Sequence, residues 1–299
     1  MPEGMARRYV IGDMLGEAAA QLAGVGLADP RREARTLWAA VAGRGVKPGD
    51  VWLGRDRPPT LDIARRFRRA VERRASGMPF GYAVGRAHFR TLELRLDPRA
   101  LIPRPETEGL VDLVLRKTGK GERGKGKGGV VADIGTGCGC IALALAVEGR
   151  FERVIAADAS WDAAALAREN VALLQPSVPV EVREGDLLAP LAGERFRAIV
   201  SNPPYLTEAE YATLDPAVRL FEPREALVSG ADGLTATRAL LAGARALLEP
   251  GGFVALELDE RRADAVRALA LRHGWSRVTV YDDLFGRPRF LLAGLEEGV

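Results

Sequence analysis

The sequence predicts an α/β fold: a mostly parallel, seven-stranded sheet covered by helices on both faces, preceded by a helical bundle and a β-hairpin linker. Three observations carry this. From Val130 onward, short apolar runs alternate with helix-length segments, the rhythm of a parallel sheet. Residues 1–80 show only helical spacing. Between the two, residues 82–97 switch from helical spacing to strict alternation. With 299 residues there is enough chain for more than one core. The expected boundaries are 1–80 for the helical domain, 81–103 for the linker and 104–299 for the α/β domain.

In the first part, Leu61 to Ser76 shows the helical pattern best. Ile63, Phe67, Ala70 and Val71 share one face, and Arg65, Arg66, Arg68, Arg69 and Arg73 cover much of the rest. Thr60 is placed to cap its start. Asp13 to Val25 and Pro30 to Gly43 are two further helices of the bundle. In the linker, Phe89, Leu92, Leu94 and Leu96 alternate with Arg90, Glu93, Arg95 and Asp97. A helix is expected from Pro105 to about Leu115. Residues 119–129 hold six glycines and no apolar side chain, which predicts a mobile surface loop. Strands are then expected at 130–134, 154–158, 180–186, 198–202, 253–258, 276–281 and 289–294. Helices fall at 140–149, 162–174, 234–248 and 261–273.

Composition excludes several classes of protein. Hydrophobic residues make up 47% and charged residues 28%, as in ordinary globular domains. No apolar run approaches the roughly 20 residues that span a bilayer, and the first ten residues lack a signal-peptide core, so a cytoplasmic location is expected. Cys138 and Cys140 are the two cysteines, too few for a zinc cage, and His88 and His273 stand alone, so no metal site is expected. The net charge of +3 is uneven, because residues 1–80 carry 15 Lys/Arg against 9 Asp/Glu. A solvated helix surface and a face for an acidic partner or RNA explain that excess equally well. It is too small to argue for nucleic acid.

Ligands of open α/β sheets bind beyond the carboxyl ends of the strands, so the residues after each strand carry the chemistry. The first strand runs into Gly135-Thr136-Gly137-Cys138-Gly139. Glycines at alternate positions let the backbone turn tightly and approach a ligand, although a tight strand-to-helix turn alone would use them too. The second strand ends in Asp158, whose carboxylate can accept hydrogen bonds from a ribose diol. The third ends in Asp186 and Leu187, an acid for an adenine amino group and an apolar side chain for its ring. Together these outline a nucleoside site over three strand ends. The fourth strand ends in Asn202-Pro203-Pro204-Tyr205. Two prolines fix a rigid turn. Asn202 and the Pro203 carbonyl offer two acceptors, and Tyr205 offers an aromatic face. That set suits a planar –NH2 group, held by both of its N–H bonds and stacked on its π-face.

GTGCG, Asp158, Asp186 and NPPY together resemble class I S-adenosylmethionine methyltransferases that act on planar nitrogens. Three more segments resemble one branch, the release-factor glutamine N5-methyltransferases (the HemK family): GMPFGYAVGRAHF (77–89), LIPRPETEGLVD (101–112) and RLFEPREALVSGADGL (219–234). The resemblance implies a Rossmann-like catalytic domain that binds S-adenosyl-L-methionine through Gly135 to Gly139, Asp158, Leu187 and Asn202. It implies that Asn202 to Tyr205 hold a glutamine of a peptide chain release factor, and it brings Arg104 near the site. Leu187 replaces a larger aromatic of some relatives, and the loop 119–129 lies outside the pattern. A monomer is expected, with a peptide chain release factor as protein substrate and no nucleic-acid substrate. NPPY would serve adenine N6 of DNA or RNA equally well. Architecture argues against that alternative, because such an enzyme needs a base-flipping surface. A non-catalytic binding module would predict a damaged NPPY, and the motif is intact.

Overall fold

A computed structural model describes residues 9–43, 45–119 and 128–295. The chain divides into two compact units, Met1–Gly85 and Arg86–Val299.

The first unit holds α1 (Ile11–Gly24), α2 (Pro30–Ala42), α3 (Pro48–Leu53), α4 (Leu61–Ala75) and α5 (Phe80–Val84). Local chemistry sets the helix starts. Asp29 accepts from the Arg32 N–H with Pro30 at the first position of α2, and Thr60 accepts from the Ile63 N–H to cap α4. The buried face of α4, with Phe67, Ala70 and Val71, packs with Leu22, Leu37 and Trp38. Trp38 and Phe67 meet edge to face at 4.9 Å between ring centres. Arg74 of α4 donates to Glu33 of α2 at 2.6 Å. Helix α3 has no counterpart among the predicted elements, because its six residues are too short to show a period. Helix α5 corrects the alternation expected from residue 82. Gly85, left-handed at φ 74°, ends this helix, and the alternating segment begins after it.

The second unit opens with a hairpin of β1 (Arg86–Phe89) and β2 (Leu92–Arg95), antiparallel with Phe89 opposite Leu92. Leu92, Leu94 and Leu96 are all buried, as alternation requires. A short 3₁₀ turn at Pro105–Thr107 leads into α6 (Glu108–Thr118). The order continues as β3 (Val130–Ile134), α7 (Cys140–Glu148), β4 (Arg153–Asp158), α8 (Trp161–Leu174), β5 (Val180–Glu184) and β6 (Phe196–Ser201). Two short helices come next, α9 (Glu208–Ala212) and α10 (Pro216–Phe221), then α11 (Thr235–Gly243), β7 (Leu248–Glu257), α12 (Ala263–Arg272), β8 (Arg277–Asp282) and β9 (Pro288–Gly294). Most of the predicted mobile loop, residues 120–127, lies outside the described residues.

The seven strands order as β5-β4-β3-β6-β7-β9-β8. The first five are parallel, and β9 runs antiparallel to both β7 and β8. Strands β3, β4 and β6 are buried on both faces, which explains why they read as unbroken apolar runs. Chain order reverses between β3 and β6. The carboxyl ends of β3, β4, β5 and β6 therefore open a crevice at the switch point, where α/β sheets bind ligands.

Candidate active site

The crevice holds a cavity of about 410 Å³, a volume ordinary for a small-molecule site. Gly135 and Gly137 after β3, Asp158 after β4, Asp186 and Leu187 after β5, and Asn202 and Pro204 after β6 all line it. Residues 67 positions apart in sequence are tied here, since the Ser201 hydroxyl donates to the Ile134 carbonyl at 2.7 Å. Gly135 is left-handed at φ 69°, and a Cβ there would meet nothing within 4 Å. Its backbone thus faces open space, as a close ligand approach requires.

Asp158 joins the turn to the ligand face. One carboxylate oxygen accepts the Gly137 N–H at 2.8 Å and the other accepts the Ser160 N–H at 2.9 Å. Burial raises its pKa, and the N–H bonds from Ser160 and Gly137 oppose that rise. Two of roughly four lone-pair positions are used, which leaves acceptor capacity for a diol. The other turn residues face inward. Thr136 is 4% exposed and donates to Asp133 at 2.6 Å; Cys138 is 1% exposed, and its carbonyl accepts from Asn170 at 2.9 Å. Asn170 also exchanges two hydrogen bonds with the Arg95 backbone, so one buried amide ties the hairpin to the glycine turn.

A second cavity of about 190 Å³ adjoins the first. Pro203 and Tyr205 line it, with Arg104 and Leu214. Leu101, Asn202, Pro204 and Ala226 line both cavities, so the Asn-Pro-Pro segment forms their common wall. Two backbone bonds pin Leu206, just beyond this wall: its N–H donates to the Leu227 carbonyl, and its own carbonyl accepts from the Ser229 N–H, each at 2.9 Å. The backbone also approaches Gly233 closely: a Cβ there would lie 2.3 Å from the Tyr205 carbonyl. Burial and the nearby Glu257 carboxylate push the Tyr205 phenol up to about 12, so it is neutral at physiological pH. Arg104 donates to Glu222 at 2.7 Å, and Glu222 is buried.

Sequence reasoning missed the far wall of the first cavity, where Pro223, Glu225, Val228 and Ser229 stand. The segment 219–234 is distinctive as a sequence, but nothing in it identifies a ligand contact without the fold. Thr107 and Glu257, both buried beside Asn202 and Tyr205, were also missed.

A glycine turn, an acid after the second strand and a rigid Asn-Pro-Pro-Tyr wall, set on this sheet, define a class I methyltransferase that uses S-adenosyl-L-methionine. Residues 121–232 match the model of the methyltransferase small domain, and residues 13–85 match that of the PrmC N-terminal domain. The chain is 41% identical to the release factor glutamine methyltransferase of Deinococcus radiodurans over 94% of its length and 97% of the relative's. The corresponding enzyme of Moorella thermoacetica is also 41% identical, over 93% of this chain and 96% of the relative. Among solved structures, the hMettl16 catalytic domain shares the fold at TM-score 0.55 and 17% identity, covering 79% of this chain and 84% of that one. The chain belongs to the release factor glutamine methyltransferase family. No described helix is long and apolar enough to cross a membrane.

Proposed function

We propose that this chain methylates the side-chain amide nitrogen, N5, of the glutamine in the Gly-Gly-Gln motif of peptide chain release factors. The observation that carries this reading is the shared wall: Asn202 and Pro204 line both cavities, so a donor in one meets an acceptor in the other. The larger cavity takes S-adenosyl-L-methionine, held at Gly135, Gly137, Asp158, Asp186, Leu187 and Asn202, which line it, while Thr136 and Cys138 face inward and shape the turn. Bound there, the cofactor supplies a methyl group on a positively charged sulfur.

The chain's own residues do the rest. Asn202 Oδ1 and the Pro203 carbonyl accept the two N–H bonds of the substrate amide. Pro204 keeps that turn rigid, and the Tyr205 ring stacks on the amide plane. An amide nitrogen is a poor nucleophile because its lone pair is delocalised, so alignment and support for developing positive charge are the catalysis required. The nitrogen would take the methyl carbon as that carbon's bond to sulfur breaks, the electron pair staying on sulfur as a neutral thioether, and the cationic amide would release one of its two protons to water. A neutral Tyr205 fits a site that holds the amide without deprotonating it.

Names of relatives matched along nearly the whole chain support the glutamine reading over adenine N6. A release factor as substrate supports a cytoplasmic enzyme that does not act on nucleic acid. Mass spectrometry of a release factor before and after incubation tests the proposal. The Gly-Gly-Gln peptide should gain the mass of one methylene on its glutamine. A label found only in nucleic acid would overturn it.

A further inference from the structure

The turn between β8 and β9 sets two apolar side chains in open solvent. Leu284 and Phe285 are 102% and 78% exposed, and Leu284 is the most exposed large apolar side chain among the described residues. The backbone around them is tightly built. The Gly286 N–H donates to the Asp283 carbonyl at 3.0 Å, and the Asp283 N–H donates to the Arg287 carbonyl at 2.8 Å. Gly286 is left-handed at φ 76° and closes a three-residue hairpin loop. The Asp283 carboxylate accepts the Phe285 and Arg287 N–H groups at 2.8 and 3.1 Å, and Arg287 Nε at 3.0 Å. The Arg287 guanidinium lies over the Phe285 ring, 5.2 Å from its centre. Asp283 and Gly286 thus make the turn. Its central positions accept most residue types, so turn geometry does not require leucine and phenylalanine there.

The sheet places this turn on the edge that carries the site. Strand β9 is antiparallel to both β7 and β8, so β8 is parallel to β6 and β7 and its carboxyl end shares their edge. One row of the sheet joins Ser201, Leu256, Leu291 and Val280. Asn202 follows that row directly, whereas β8 runs on to Asp282 before the chain turns. The tip therefore projects past Asn202 along the strand direction. Sideways, three strand spacings separate β6 from β8, about 14 Å at about 4.8 Å each. A standard interface buries about 800 Å² of each partner, a patch roughly 30 Å across. The footprint of a protein that seats a glutamine against Asn202 reaches the tip.

We infer that Leu284 and Phe285 form an apolar anchor for the protein substrate, filling a hydrophobic pocket on the release factor away from its Gly-Gly-Gln loop. This rests on the release-factor reading above. A single loop entering a cavity of about 190 Å³ buries little surface, and a second contact adds affinity without touching the chemistry. The tip suits that purpose. Arg287, which flanks the ring, is paired with Asp283 at 3.0 Å, so an apolar pocket closing on Phe285 strands no charge there. The backbone of the turn is already fixed, so ordering it on binding costs little. Neither side chain lines either cavity of the site, and the contribution of both lies in binding alone.

Steady-state methylation of an intact release factor at saturating cofactor tests the anchor. The double variant Leu284→Ser/Phe285→Ser should raise KM for the release factor about tenfold to a hundredfold. Its kcat should stay within about twofold of wild type, the pattern of lost uniform binding. Cofactor affinity by calorimetry and the melting temperature should not change, because Asp283 and Gly286 still build the turn. Should the double variant melt early, Phe285→Ser alone decides on the same KM. Leu173→Ser is the control. Leu173 is 51% exposed near the end of α8, a helix that returns the chain to the opposite edge of the sheet, so its KM should equal wild type. A wild-type KM in the double variant, or an equal rise in Leu173→Ser, would overturn the anchor and leave the release-factor reading standing. Sedimentation of the wild type at assay concentration checks for a second copy. A dimer that the double variant abolishes with KM unchanged would make the tip an interface between copies and overturn the anchor. A wild-type enzyme that methylates no release factor would instead remove the reading on which the anchor rests.

Discussion

Replacing Asp158 by alanine separates a ligand-binding acid from a turn-shaping one. Its two carboxylate oxygens accept the N–H groups of Ser160 and Gly137 at 2.9 and 2.8 Å, and the residue lines the larger cavity. The lone pairs left over suit the two ribose hydroxyls of the cofactor. A charge-assisted hydrogen bond contributes about 1.5–3 kcal/mol. Two such bonds do not add in full here, because burial already disfavours the ionised carboxyl. A net loss of about 1.5–3 kcal/mol corresponds to a tenfold to hundredfold weaker cofactor, at about 1.4 kcal/mol per decade. Asp158→Asn should do no better. Both oxygens accept an N–H, so either amide orientation sets an –NH2 against one of the two donors. Titration calorimetry with S-adenosylmethionine reads the affinity directly, and a thermal scan checks that each variant is folded. Unchanged affinity in Asp158→Ala would refute the assignment.

Asp133 makes a stability prediction. It is fully buried, accepts from Thr136 and from the Ala142 N–H at 2.6 and 3.1 Å, and leaves Oδ1 without a partner. Burial raises its carboxyl from 3.8 to about 7. The folded state thus holds the proton more tightly than the unfolded chain, and its contribution to stability, present below about 4, is lost as pH rises through about 7. Asp133→Asn should flatten that slope and match or exceed the wild-type melting temperature at pH values above it; a slope as steep as wild type would contradict this. Tyr205→Phe should lose less turnover than Tyr205→Ala, because stacking uses the ring, and equal losses at saturating cofactor would count against stacking. A fragment starting at Arg86 should keep cofactor binding but lose most methylation of intact release factor, since residues 1–80 carry the excess of 15 Lys/Arg over 9 Asp/Glu. Undiminished activity of that fragment would remove substrate recognition from the helical unit.

Much of this protein is legible from local sequence alone. Apolar runs mark the buried strands, helical spacing marks α4, and strand-end residues identify the nucleoside cradle and the NPPY wall. These signals are local because a strand end and a capped helix start depend on residues a few positions apart. Three things needed the tertiary structure. Helices α3 and α5 are shorter than a readable period. The antiparallel place of β9 between β7 and β8 arises from how the sheet edge packs, and no residue type encodes it. The far wall at Pro223 to Ser229 and the contact of Asn202 with Thr107, 95 positions away, arise only when the sheet brings distant loops to one crevice. Sequence alone singled out Asn202 as the residue expected to hold the substrate amide. Which group packs against the Asn202 amide was decided by the tertiary structure, which sets the Thr107 hydroxyl 3.1 Å from Nδ2, because a packed side chain takes its hydrogen-bond partners from whichever segments the fold brings beside it.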